Sequence, residues 1–82
     1  MAGDAVARTA RRVIDALQIT QLTNTDGDAG FVTFEAGSRV WYSLNELNVA
    51  DVVFARYRHW PRRAALREAV AQLRERARFE AR

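Results

Sequence analysis

The sequence predicts a small α+β domain: a helix, a short antiparallel β-hairpin or three-stranded meander, then two helices. Three observations predict it. Apolar residues recur at helical spacing near the start and again over the last quarter of the chain. Residues 31–43 are rich in β-branched and aromatic side chains around a glycine turn. Ser43-Leu44-Asn45-Glu46 then has the spacing of a helix start.

In order along the chain, Asp4 can cap a first helix over 4–17, whose inward stripe is Val6, Ala10, Val13 and Leu17; Arg11 and Asp15 can pair on its outside. Residues 19–23 are β-prone but short, so the choice between two and three strands stays open. Residues 31–35 and 39–43 read as strands joined by Ala36-Gly37-Ser38, with Gly37 free to take positive φ. Val40 and Tyr42 fall on one face of the second strand and Trp41 on the other. With Ser43 as cap and Glu46 returning to it, a second helix is expected to run to about residue 58, with Leu47, Ala50, Phe54 and Tyr57 along one side and Val53 beside them. Pro61 suits a helix's first turn, so the chain restarts there. The third helix, 61–80, carries a narrow stripe of Leu66, Ala69, Val70, Leu73 and Ala77 on an otherwise polar surface. That stripe fits either a partner or the domain's own sheet.

Eighty-two residues make one domain with one modest core. The expected division is an α-β-β-α core over 4–58 and a basic C-terminal helix over 61–82. With no cysteine, disulfides, thiolate metal sites and thiol nucleophiles are excluded, which fits a cytoplasmic setting. No apolar run reaches the roughly 18 residues of a membrane span, and the opening MAGDAVARTARR lacks a signal peptide's apolar stretch, so no membrane role is expected.

Charge is unevenly placed. Residues 1–55 hold four arginines against seven acids, a net of −3, and residues 56–82 hold nine arginines against three acids, a net of +6. This split favours an acidic partner, nucleic acid, or copies meeting end to end. Every basic residue is arginine, which makes planar bidentate contacts that lysine cannot.

Residues 24–35, NTDGDAGFVTFE, imitate a calcium loop, with Asn24, Asp26 and Asp28 at alternate positions and Glu35 in twelfth place. The sixth position is Ala29 instead of glycine, and strand follows where a helix should, so the stretch reads as a turn into a hairpin and no metal site is expected. His59 is a lone histidine, Ser38 and Ser43 are explained by turn and cap, and no nucleophile–base–orienter set can be assembled. The chain reads as a non-enzyme without cofactor. Residues 54–63, FARYRHWPRR, interleave aromatics with arginines; Arg56, Tyr57, Arg58 and Trp60, with Arg62 and Arg63, are the candidates for gripping nucleic acid by stacking and phosphate neutralisation. Phe54 and Tyr57 continue the second helix's stripe and are expected in the core.

Gly37-Ser38-Arg39-Val40-Trp41-Tyr42-Ser43-Leu44-Asn45-Glu46-Leu47, followed by Ala50 and Phe54, resembles the hairpin-to-helix passage of the phage head–tail joining protein W family. The resemblance covers residues 4–58, with Ala5–Leu17 as its first helix and Ser43–Arg58 as its second. This chain departs from it in a longer connection after the first helix and in a third helix where the family has a basic, less ordered tail. The resemblance implies a non-enzymatic adaptor of a virion, assembled as a homo-oligomeric ring on the portal and offering a platform to tail components, in the virion or the host cytoplasm. Docking would then fall to Arg62, Arg63, Arg67, Arg74, Arg76 and Arg78, through salt-sensitive contacts, with Leu66, Val70 and Leu73 as its apolar part. The rival readings are a small nucleic-acid-binding or regulatory module and a phage-encoded inhibitor of a host complex.

Overall fold

The computed structural model describes residues 2–80, with side chains from Ala5 onward. The elements are α1 (Ala2–Leu17), β1 (Gln21–Thr25), β2 (Asp28–Glu35), β3 (Ser38–Ser43), α2 (Glu46–Tyr57) and α3 (Arg63–Glu80). The α+β class holds, and the sheet is the meander: three antiparallel strands in the order β1-β2-β3. The helices cover one face. Phe31, Leu22 and Tyr42, paired across the three strands, point into the core, where they meet Ala10, Val13, Ile14 and Leu17 of α1 and Leu66, Ala69, Val70 and Leu73 of α3.

The calcium-like stretch is a hairpin. Asp26 and Gly27 form its two-residue turn with φ of +55° and +81°, and Ala36 and Gly37 repeat the arrangement at +49° and +81°. Two left-handed residues in a row give the turn whose twist matches the flanking strands. Ser38, expected in the second loop, opens β3 instead. Glu35 ends up seven residues along β2 from Asp28, roughly 23 Å at strand rise, and so cannot complete a cage with Asp26 and Asp28.

Three local expectations are corrected. Helix α1 begins at Ala2, so Asp4 lies within it; the Asp4 side chain falls outside the described residues. Arg11 and Asp15 form no ion pair; among the described residues the one ion pair is Arg78–Glu75 at 3.7 Å. The cap of α2 is Asn45 and not Ser43. Asn45 is extended (φ −148°, ψ 167°), and its side-chain oxygen accepts from the Asn48 N–H at 2.8 Å. The reason is strand pairing: Ser43 pairs with Gly30 and the Leu44 N–H donates to the Ala29 carbonyl, so the chain leaves the sheet two residues later than the Ser-x-x-Glu spacing implies. Asn45→Ala is therefore expected to lower stability by about 1 kcal/mol, and Ser43→Ala by less than about 0.5 kcal/mol, both read from thermal or urea melts.

The inward face of α2 also differs. Val49, Ala50, Val52 and Val53 are buried, whereas Leu47, Phe54 and Tyr57 are exposed. Positions 49, 52, 53 and 56 have helical spacing too, but the last of them is Arg56, which disguises the stripe in the sequence. The Arg56 guanidinium turns inward and donates to the carbonyls of Ala16 (2.8 Å), Leu17 (2.6 Å) and Phe34 (2.7 Å) and to the Thr33 hydroxyl (2.8 Å). It thus satisfies the last-turn carbonyls of α1, where a cation is favoured. Thr33, fully buried, donates in turn to Leu17.

At the sheet's inner edge the Tyr42 hydroxyl donates to Glu35. That bond, then burial and the Glu35 charge, push the Tyr42 pKa up to about 12. The folded state favours the neutral phenol, so this contribution is whole below the ordinary tyrosine value of about 10 and fades as pH rises through about 12. A tyrosinate absorbance titration is expected to show a late step that Tyr42→Phe removes.

Candidate interaction surfaces

The apolar stripe of α3 belongs to the chain's own core. Leu66 and Val70 are 5% exposed and Leu73 not at all, and Ala69 and Ala77 are likewise sealed. Small residues at those two positions let α3 approach α1 closely. The expectation that Leu66, Val70 and Leu73 supply the apolar part of a docking surface is therefore overturned: Val70 and Leu73 could be presented only by opening the core, and Leu66 shows no more than an edge at the floor of a surface groove.

What α3 offers outward is charge. Arg63, Arg67, Arg74 and Arg78 follow at intervals of four, seven and four, which places them on one flank of the helix, and all are exposed. At 1.5 Å per residue the stripe is roughly 22 Å long. One end meets the β1–β2 turn, where Arg74 and Arg78 share a hollow with Asp28. Arg74 also donates to the Leu44 carbonyl at 3.4 Å, and Arg78 holds the Glu75 contact. The other end, Arg63, lies beside the α2–α3 connection. Arg76 is set apart, on the flank facing Ile19 and Leu22, and Arg62 lies in the connection just ahead of α3.

A second surface was not legible in the sequence. Phe54 and Tyr57, expected in the core, are 40% and 57% exposed, and Leu47 and Trp60 are 63% and 52% exposed. Arg58 ends α2 in the left-handed conformation, its N–H closing on the Phe54 carbonyl, and this turn carries Trp60 back across the helix. Trp60 meets Phe54 edge to face at 5.9 Å, and the Arg58 guanidinium sits 5.8 Å above the Phe54 ring. Pro61 is buried beneath them. Of the residues proposed for nucleic acid, Tyr57, Arg58 and Trp60 thus reach solvent, but Arg56 does not belong with them, because its donors are spent on α1 and β2.

The outer sheet face carries a third feature. Trp41 lies over Gly30, where a Cβ would meet the indole at 2.5 Å, and its Nε1–H donates to the Thr23 hydroxyl at 3.0 Å. Only glycine permits that close approach. Phe34 is exposed on the same face, and Arg39 there donates to Gln21.

His59 shares a hollow of about 460 Å³ with Asp15, Thr9 and Tyr57 between α1 and the connection. Among the described residues no hydrogen bond joins them, and no base is oriented toward a nucleophile. No helix among the described residues is long and apolar enough to cross a membrane. No protein-family model, curated protein or solved structure matches the chain.

Proposed function

We propose that the chain is a non-enzymatic structural adaptor that presses the arginine flank of α3 onto an acidic surface of a larger assembly, as the head–tail connector rings of phage particles do at the portal. The observation that carries this reading is the exposed row of Arg63, Arg67, Arg74 and Arg78 on a helix whose apolar stripe is consumed internally. An anchored helix holds its guanidinium groups in a fixed row, so less side-chain and backbone order has to be imposed on docking than for a free tail. The resemblance over residues 37–47 supports the same reading, since it spans a turn, β3 and the start of α2. It also implies a ring of copies, in the virion or the host cytoplasm. Contact is made by the side of the folded α3, where the resembled family has a basic, less ordered tail.

The test is assembly. The purified chain, alone and with portal particles, is followed by mass photometry and sedimentation. A ring, or a portal-bound complex that weakens with salt, is expected. Arg67→Glu with Arg78→Glu should abolish that complex while lowering the melting temperature only slightly, since both side chains are exposed and the Arg78–Glu75 contact is a surface pair. A chain that stays monomeric and ignores the portal overturns the reading. The exposure of Tyr57, Arg58 and Trp60 favours one second reading, a nucleic-acid-binding module. Oligonucleotide binding that falls steeply with salt, without assembly, would establish it.

A further inference from the structure

Leu47, Phe54 and Trp60 form an apolar ridge on the side of α2 that faces away from the core. Beside it runs a groove of about 350 Å³ floored by Leu47, Ala50, Pro61 and Leu66, with Trp60 as one wall and Arg63 on its rim. A small chain that buries the valines of α2 and exposes its leucine and phenylalanine, together with the tryptophan of the connection that follows, is presenting those larger side chains. Toward the groove's Trp60 end the charge is positive: from Val52 to Arg67 there is no acidic residue, and Arg58, Arg62, Arg63 and Arg67 are all exposed. Glu46 lines the groove at its Leu47 end, and Asp51, one turn beyond Leu47, is the other acidic residue of α2.

We infer that this ridge and groove bind an acidic segment of a protein partner, which seats an aliphatic anchor between Leu47 and Trp60 and sets its carboxylates against Arg58, Arg62 and Arg63. The inference rests on the adaptor reading to the extent that it supplies such a partner. Two features favour a protein segment over nucleic acid. The groove floor is aliphatic, which suits a leucine or isoleucine side chain and gives a base nothing to stack on. The aromatic rings are also engaged already: Trp60 meets Phe54 at its edge, and Arg58 covers Phe54. Aromatic and arginine residues around an apolar pocket are the composition of interface hot spots, and carboxylates pair with arginine in bidentate fashion.

The two tryptophans make the test internal to the molecule, because Trp60 reports on the ridge and Trp41 on the sheet. Four probes are titrated into the isotope-labelled chain while the two indole N–H resonances are followed. They are a helical peptide of about 14 residues with two leucines one turn apart between glutamates, its leucine-to-serine version, its glutamate-to-lysine version, and an oligothymidylate. The first peptide is expected to shift the Trp60 resonance saturably and to leave Trp41 still, and the other three to bind on the order of tenfold more weakly or not at all. Leu47→Asp, at an exposed position, and Trp60→Ser should each reduce its affinity by about tenfold or more. The inference is overturned if the leucine and serine peptides bind alike, if Trp41 responds in place of Trp60, if the oligonucleotide binds most tightly, or if no probe binds at millimolar concentration. Failure of the adaptor reading looks different: no ring and no portal complex, whatever the peptides do. Conversely, assembly that survives Leu47→Asp intact alongside peptide indifference removes the ridge and spares the adaptor.

Discussion

Replacing Leu73 with alanine is expected to lower the unfolding free energy of the isolated chain by about 3 kcal/mol, within the roughly 2–5 kcal/mol of leucine truncation in a packed core. Leu73 is fully sealed at the centre of the inward face of α3, in one cluster with Leu66 and Val70 and with Val13 and Leu17 of α1. Removing its branched end strips contacts from both helices and leaves a void that their backbones cannot close without moving together. At about 0.05–0.15 kcal/mol per residue, a chain of this length holds only about 4–12 kcal/mol in all. The melting temperature should therefore fall by roughly 12–24 °C, at about 4–8 °C per kcal/mol. The experiment decides between the two fates open to the α3 stripe in the sequence. A stripe meant for a partner would be solvated in the lone chain, and Leu73→Ala would then leave its melt unchanged or raise it. Because Arg67 and Arg78 keep their places in the variant, binding to an acidic surface should persist wherever it remains folded.

The second large effect is expected at Arg56. Arg56→Ala should cost about 3 kcal/mol, since a hydrogen bond from a charged donor contributes roughly 1.5–3 kcal/mol and the four acceptors share one cation. The figure stays well below the sum of four bonds because the bond to the Phe34 carbonyl is exposed and water can replace it there. The loss falls on the last turn of α1, whose Ala16 and Leu17 carbonyls would have to find other donors. Arg56→Lys should recover about half or less, because an ammonium is a single point and cannot span a fork of acceptors. Amide exchange over the end of α1 should quicken in both variants. A double-mutant cycle with Thr33→Val should return a coupling of about 1 kcal/mol, since the buried hydroxyl accepts from Arg56 while donating to Leu17. A cost below about 0.5 kcal/mol would mean that these bonds are not held in solution.

Arg56 also shows why the surface was harder to read than the fold. In the sequence it belongs to a basic, aromatic run, and arginine in such a run is normally solvated. Its role depends on α1 ending beside it, forty residues back along the chain. Once Arg56 occupies the inward stripe, the helix is turned so that Val49, Val52 and Val53 face the core and Leu47 and Phe54 face water. Hydropathy ranks the two stripes of α2 almost equally, so the periodicity could not choose between them. The same limit applied to Ser43. A Ser-x-x-Glu spacing is a real capping signal, but it cannot know that the strand holds on to Gly30 for two residues more.

The chain's own residues determined the class of the fold, the number of helices, the hairpin at Ala36–Gly37, the turn within the calcium-like stretch, the placing of Trp41 opposite Val40 and Tyr42, and the apolar stripes of α1 and α3. Each of these depends on neighbours within a few positions, where spacing and turn chemistry dominate. Tertiary structure alone decided what covers the α3 stripe, which side of α2 is wet, and that Arg56 is a brace while Trp60 is a surface. Those outcomes follow from packing between elements far apart in sequence. There the competition lies between burying valines with a braced arginine and burying larger side chains, and local pattern carries almost no information about which arrangement fills the space above the sheet.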